Sequence, residues 1–218
     1  MGLREYLIST RGKALIENVN DEYWGRGRNE AGSILMFLRD RFIDGVQCFP
    51  ANIIIGDSLS RDVVHPAART VTLPGANAHF VTTIARLMVG PGTQWLFIIV
   101  GTNDLVFRDG RVNHKPFQFA RRVVVEAAAI VAEAPSIRIG IFSLFPRRGD
   151  NEIRHKIARS YTDLVEAKKR IVGDQSSITM FDSSRILSIE HLAVDGLHLN
   201  ELGKLAVTSF ISTTISAA

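Results

Sequence analysis

Between residues 51 and 218, short uninterrupted apolar runs alternate with longer segments of helix length. The runs fall at 52–56 (Asn-Ile-Ile-Ile-Gly), 70–73, 95–100, 137–142 and 178–181. A strand that is apolar at every position is one buried on both faces, the signature of a parallel sheet. The intervening segments predict helices at about 59–65, 77–89, 117–134, 151–172 and 200–216. This alternation predicts an α/β protein: a three-layer α/β/α sandwich around a five-stranded parallel sheet. The 117–134 segment carries Val123, Val124, Val125, Ala127, Ala128, Ile130 and Val131, and is expected to pack on the sheet. In such sheets a ligand crevice lies beyond the carboxyl ends of the strands.

The first 50 residues read differently. Residues 2–9 could form a short helix, and residues 24–29 (Trp-Gly-Arg-Gly-Arg-Asn) are turn-rich. Ile34, Leu35, Leu38 and Phe42 predict an amphipathic helix, and 45–50 a linker. Two parts are therefore expected, an N-terminal extension at 1–50 and a single α/β domain at 51–218.

Composition narrows the class. Of 218 residues, 46% are hydrophobic and 22% charged, which excludes a disordered chain. A single cysteine, Cys48, rules out an intramolecular disulfide and reads as a small buried hydrophobe. No apolar run reaches 18 residues, so no integral membrane segment is expected. The N-terminus lacks the apolar core of a signal peptide, and a cytoplasmic location is the expectation. The formal charge is +4. The first 50 residues hold seven basic and seven acidic side chains, so the excess belongs to the α/β part. That excess is too small and too dispersed to make nucleic acid the expected partner.

Four segments carry the candidate chemistry, three directly after strands and one before the final helix: Gly-Asp-Ser-Leu at 56–59, Pro-Gly-Ala-Asn at 74–77, Gly-Thr-Asn-Asp at 101–104 and Asp-Gly-Leu-His-Leu-Asn at 195–200. A serine hydroxyl needs a base before it attacks. Ser58 sits where a strand turns into a helix, a place that exposes the side chain and aims backbone N–H groups at a developing anion. His198 is the candidate base, because imidazole titrates near neutrality. Asp195, three residues earlier, can reach the other ring nitrogen and fix its tautomer. Asn103 can donate its amide to an oxyanion, and Gly75 can offer an N–H with no Cβ in the way. Asp57 and Asp104 read as structural, Asp57 holding a turn and Asp104 capping a following helix.

Together these four segments resemble the blocks of the SGNH hydrolases, the GDSL-like esterases and lipases, over about residues 52–210. The resemblance implies a flavodoxin-like fold and hydrolysis of a carboxylic ester through an acyl-enzyme. It also implies Ser58, Asp195 and His198 as the triad, and Ser58, Gly75 and Asn103 as the oxyanion hole. A small-molecule ester would be the substrate, with no cofactor. Residues 141–148 (Ile-Phe-Ser-Leu-Phe-Pro-Arg-Arg) look like the Pro-Arg segment of a branch found in animal and transposon-associated proteins. The alternative reading is an SGNH-like domain that has become catalytically idle and serves nucleic-acid binding or self-association. Residues 1–45, with Tyr23-Trp24-Gly25, Asn29, Gly32, Met36 and Arg39, resemble the C-terminal end of NADAR-type domains. They read as a remnant of such a domain.

The basic excess has an expected position. Arg108, Arg111, His114, Lys115, Arg121 and Arg122 follow the third strand, and Arg147, Arg148, Arg154, Lys156 and Arg159 follow the fourth. Both groups leave the carboxyl ends of strands. Arg108, Arg111, Arg147 and Arg148 are therefore candidates for a rim that attracts substrate charge. His65, His79, His114, His155 and His191 show no metal-ligand spacing, and no metal is expected. They read as surface or loop histidines, His191 being near enough to the 195–200 segment to line the site.

Overall fold

Ile53, Ile54 and Ile55 are completely buried in a computed structural model of the chain, as a strand covered on both faces requires. The structure describes Ser9, Thr10, Leu35, Arg39 and residues 49–218, except Asp62, 106–115, Asp150, 175–176 and Ala218. The chain divides into two compact units, Met1–Phe49 and Pro50–Ala218. In the first, Ser9, Leu35 and Arg39 are helical, and Arg39 Nη1 donates to the Thr10 carbonyl at 3.1 Å. The remaining expectations for residues 1–48, including Cys48 and the NADAR-like segment, lie outside the described residues.

The second unit is built on β1 (Asn52–Gly56), β2 (Arg69–Thr72), β3 (Trp95–Ile99), β4 (Arg138–Phe142) and β5 (Ile178–Phe181). All neighbours are parallel, in the order β2-β1-β3-β4-β5. The helices are α1 (Ala78–Met88), α2 (Thr102–Leu105), α3 (Pro116–Glu133), α4 (Asn151–Ile171) and α5 (Glu201–Ser216). Alternation along the strands assigns the faces. Ile53, Ile55, Leu96, Ile98, Ile139 and Ile141 are buried on one face, where α3 packs between α1 and α4. Ile54, Phe97, Ile99 and Phe142 are buried on the other, with Val207 and Ile211 of α5. Phe181 bridges Phe142 and Phe210 there, with ring centroids 5.2 and 4.9 Å apart. The expected three-layer α/β/α sandwich is thus present.

Three local expectations need correction. The helix expected at 59–65 is only a 3-10 turn, Ser58–Ser60. Arg61 leaves the helical region at ψ 128°, and the β-branched Val63 and Val64 run on toward Pro66, which disfavours helix at His65. Thr70 Oγ1 then holds the Val63 carbonyl at 2.6 Å. On α3, Val123, Val124, Ala127, Ile130 and Val131 are buried as expected, but Val125 is exposed, because the helix is apolar beyond the stripe it buries. His65 is buried and not at the surface. Its Nδ1 accepts the Ala67 N–H at 3.1 Å, which closes the turn at Pro66.

The glycine that ends β1 is required by close approach. A Cβ at Gly56 would lie 2.2 Å from the Ile99 carbonyl oxygen, which also accepts the Asp57 N–H. Neither backbone can retreat without breaking the β1–β3 ladder. Gly56→Ala is expected to destabilise the domain by roughly 3 kcal/mol, the upper range for overpacking, read as a lower urea midpoint.

Candidate active site

The 56–59, 74–77 and 101–104 segments meet because β2, β1 and β3 are adjacent and parallel, so their carboxyl ends lie side by side. Backbone hydrogen bonds lock them: Leu73 N–H to the Gly56 carbonyl at 2.8 Å, and Asp57 N–H to Ile99 at 3.1 Å. Ser60 Oγ adds bonds to the Asp57 carbonyl and to Thr72 Oγ1. Ser58 opens the 3-10 turn and is partly exposed. The Asp57 carboxylate caps that turn through Oδ1, which accepts the Leu59 N–H at 2.9 Å.

After β2, Ala76 N–H returns to the Leu73 carbonyl, closing a turn with Pro74 and Gly75 at its centre. Gly75 has φ +73° and is exposed, the conformation that a Pro-Gly turn of this kind demands at its third position. After β3, Asn103 Nδ2 donates to the Ala76 carbonyl at 3.0 Å. An amide nitrogen carries two hydrogens, so one holds the Gly75 turn and the second is available to a ligand. Asp104 corrects a sequence expectation. Its Oδ2 accepts the Ala78 N–H at 2.8 Å, so it caps α1, which precedes it in sequence, and not the helix that follows. Both residues of the Asn103-Asp104 pair therefore tie the second segment to the third.

The fourth segment is a loop closed by an antiparallel bridge between Leu192 and Leu199. Asp195 Oδ1 accepts the N–H groups of Leu197 and His198, at 2.9 and 3.0 Å. Its Oδ2 faces His198 Nδ1 at 2.6 Å. A carboxylate only accepts, so Nδ1 carries a proton, and in the neutral ring the lone pair is then on Nε2. The bond from His198, with the two backbone N–H groups, draws the Asp195 pKa down to about 2. Asp195 therefore remains ionised at any ordinary working pH. Asn200 accepts Gly203 N–H as the N-cap of α5, which holds His198 two residues ahead of that cap. The His191 carbonyl accepts the Asn200 N–H at 3.0 Å, which ties His191 to the end of the fourth segment. His191 Nδ1 accepts from Ser188 N and faces Ser188 Oγ, both at 3.0 Å, and closes its own turn.

The structure thus joins Ser58, Gly75 and Asn103 through three neighbouring strand ends, and pairs Asp195 with His198 directly. Leu59 and Leu199, neighbours of Ser58 and His198, share one apolar cluster with Leu197 packed against it. Among the described residues no hydrogen bond joins Ser58 Oγ to His198. Such bonds are often long in unliganded enzymes and tighten with substrate. Of the basic rim, Arg147 is half-buried and Arg148 exposed in the loop after β4. Arg108 and Arg111, with His114 and Lys115, lie outside the described residues.

Sequence reasoning missed the state of Asp57. The side chain is fully buried beside Asp104, and Oδ2 has no well-formed hydrogen bond. Burial pushes its pKa up to about 7, against the opposing pull of nearby N–H groups, Leu59 foremost. The available signal was its position, a carboxylate directly after a strand buried on both faces. The folded pKa is raised, so the folded state binds the extra proton. Stability should then fall as pH rises from about 4 to about 7 and level off above. Asp57→Asn is expected to flatten that slope, worth up to about 4 kcal/mol across the window. Urea unfolding at pH 5 and pH 8 reads it, and an unchanged slope rejects the assignment.

Solved structures place this geometry in context. A carbohydrate esterase family 3 member from Talaromyces cellulolyticus superposes with a TM-score of 0.59 at 13% identity, covering 77% of this chain and 97% of that one. A GDSL-like lipase from Bacteroides thetaiotaomicron gives 0.57 at 16% identity, covering 79% and 90%. The fold is that of the SGNH hydrolases. A carbohydrate acetylesterase from Sinorhizobium meliloti shares this SGNH fold, with a TM-score of 0.56 at 13% identity, covering 76% and 98%. At the level of sequence, neither a protein-family profile nor a curated protein matches the chain. Among the described residues, no cluster of three or more His, Cys, Asp or Glu is placed to hold a metal, and no helix is long and apolar enough to cross a membrane.

Proposed function

We propose that the Pro50–Ala218 unit is a serine esterase of the SGNH type that hydrolyses a small carboxylic ester through an acyl-enzyme. The observation that carries this reading is the Asp195–His198 pair at 2.6 Å, with the carboxylate held by two backbone N–H groups so that Nε2 is left basic. The SGNH-type fold and the position of Ser58 at the turn after β1 support it.

In this mechanism His198 Nε2 takes the Ser58 proton as Oγ bonds to the ester carbonyl carbon. The N–H groups of Ser58 and Gly75 and the second Asn103 hydrogen hold the oxyanion. The tetrahedral intermediate collapses, the C–O bond to the alcohol breaks, and His198 returns the proton to the leaving oxygen. A water then gives its proton to His198, its oxygen attacks the acyl carbon, and Ser58 departs reprotonated. Asp195 stabilises the imidazolium in both half-reactions without being protonated itself. Fluorophosphonate labelling of Ser58, read by peptide mass, tests the assignment. Label that stays on the chain after Ser58→Ala overturns it.

A further inference from the structure

Arg148 enters the site in a way that its place in the sequence does not show. Its backbone N–H donates to the Gly196 carbonyl at 2.7 Å. Gly196 lies between Asp195 and the pair Leu197-His198, and has φ +68°. A Cβ at Gly196 would meet Arg148 Cβ, Cγ and Cδ at 2.8, 2.9 and 2.8 Å. The aliphatic stem of Arg148 therefore lies along the bare face of Gly196, and only glycine leaves room for it. The guanidinium begins one bond beyond that contact, on an exposed side chain.

Among the described residues no carboxylate pairs with Arg148 or with Arg147, whereas Arg86, Arg159, Arg170 and Arg185 each have one. Asp195 is committed to His198 and to two N–H groups of its own turn. Arg147 is half-buried, and its Nε is shielded from solvent without an acceptor among the described residues. Two consecutive arginines, one of them packed along the turn that carries His198, bring positive charge that can attract an anion and bind it by charge-assisted hydrogen bonds.

We infer that Arg148, supported by Arg147, selects esters that carry an anionic group on the leaving alcohol. This rests on the esterase reading above. The side follows from the chemistry: His198 delivers its proton to the departing alcohol oxygen, so the part of the substrate beside the His198 turn is the alcohol. A carboxylate or phosphate on that alcohol presents the acceptor oxygens that a guanidinium binds in pairs.

The test uses a shape-matched pair, 4-acetoxybenzoate and its neutral amide 4-acetoxybenzamide, with 4-nitrophenyl succinate against 4-nitrophenyl butyrate to place the charge on the acyl side. The readout is the ratio of kcat/KM for the anionic to the neutral member, which cancels general changes in the enzyme. Arg148→Gln is expected to lower the alcohol-side ratio about tenfold and to leave the acyl-side ratio in place. Arg148→Lys should recover part of the loss, and added salt should lower the wild-type ratio, because the guanidinium is exposed. Equal alcohol-side ratios in wild type and Arg148→Gln overturn the inference, as does a loss confined to the acyl-side pair. If no ester is turned over and Ser58 takes no fluorophosphonate, the esterase reading fails and takes this inference with it. Labelled Ser58 with no charge preference overturns the inference alone.

Discussion

Ser58→Ala is expected to lower kcat/KM for short p-nitrophenyl esters by about 10,000-fold or more, with an unchanged near-ultraviolet spectrum and urea midpoint. The magnitude follows from losing the nucleophile, since a site without it retains only the contribution of binding and oxyanion contacts. The structural neutrality follows from the turn. Its geometry rests on the Asp57 carboxylate and on backbone bonds from Ser60 and Arg61, none of which uses Ser58 Oγ. The backbone N–H of residue 58 also survives the substitution, so the oxyanion hole is not dismantled. Retained turnover in Ser58→Ala rejects the esterase reading. A wild-type protein that neither turns over esters nor takes the label favours the idle-domain alternative.

Asp195→Asn should cost about 1,000- to 10,000-fold in kcat through a change of tautomer, with little change in fold. The geometry dictates how. The atom facing Leu197 and His198 must remain an acceptor, because two N–H groups point at it. The amide nitrogen is then forced toward His198 Nδ1, which must become the acceptor. The ring proton moves to Nε2, and Nε2 can no longer take a proton from Ser58. The activity of the wild type should show no protonation of Asp195 until the pH falls toward about 2, since its folded pKa is depressed to that value. A variant with wild-type kcat means that His198 is not oriented by this carboxylate during the reaction.

The two substitutions differ in what they test. Ser58→Ala asks whether the chemistry is covalent at this hydroxyl. Asp195→Asn asks whether the 2.6 Å contact sets the protonation state of the base. Asn103 stands between them. With one amide hydrogen committed to the Ala76 carbonyl, it acts as a strut for the Gly75 turn, and in the proposed mechanism the other hydrogen serves the oxyanion.

Much of this protein was legible in its sequence because the relevant forces are local. Five apolar runs specify strands buried on both faces, and the register of that pattern with helical segments specifies a parallel sheet covered by helices. Ser58, Gly75, Asn103, Asp195 and His198 could be singled out because strand-to-turn junctions are marked by Gly, Pro, Asp and Asn within a few residues. Where local signals conflicted, the reading slipped. At 59–65 a segment between two apolar runs looked helical, but Pro66 and two valines decided against it. What only the tertiary structure decided depends on groups far apart in sequence. Asp57 acquires its raised pKa from burial under the sheet end and from Asp104, and neither is visible in Gly-Asp-Ser-Leu. Asp104 caps a helix that precedes it because β2 and β3 flank β1. Arg148 reaches the His198 turn because the loop after β4 and the loop before α5 converge on one edge, where Gly196 has no side chain to hold them apart. Protonation and the proposed charge selection depend on desolvation and on through-space neighbours, and these exist only once distant segments are packed together.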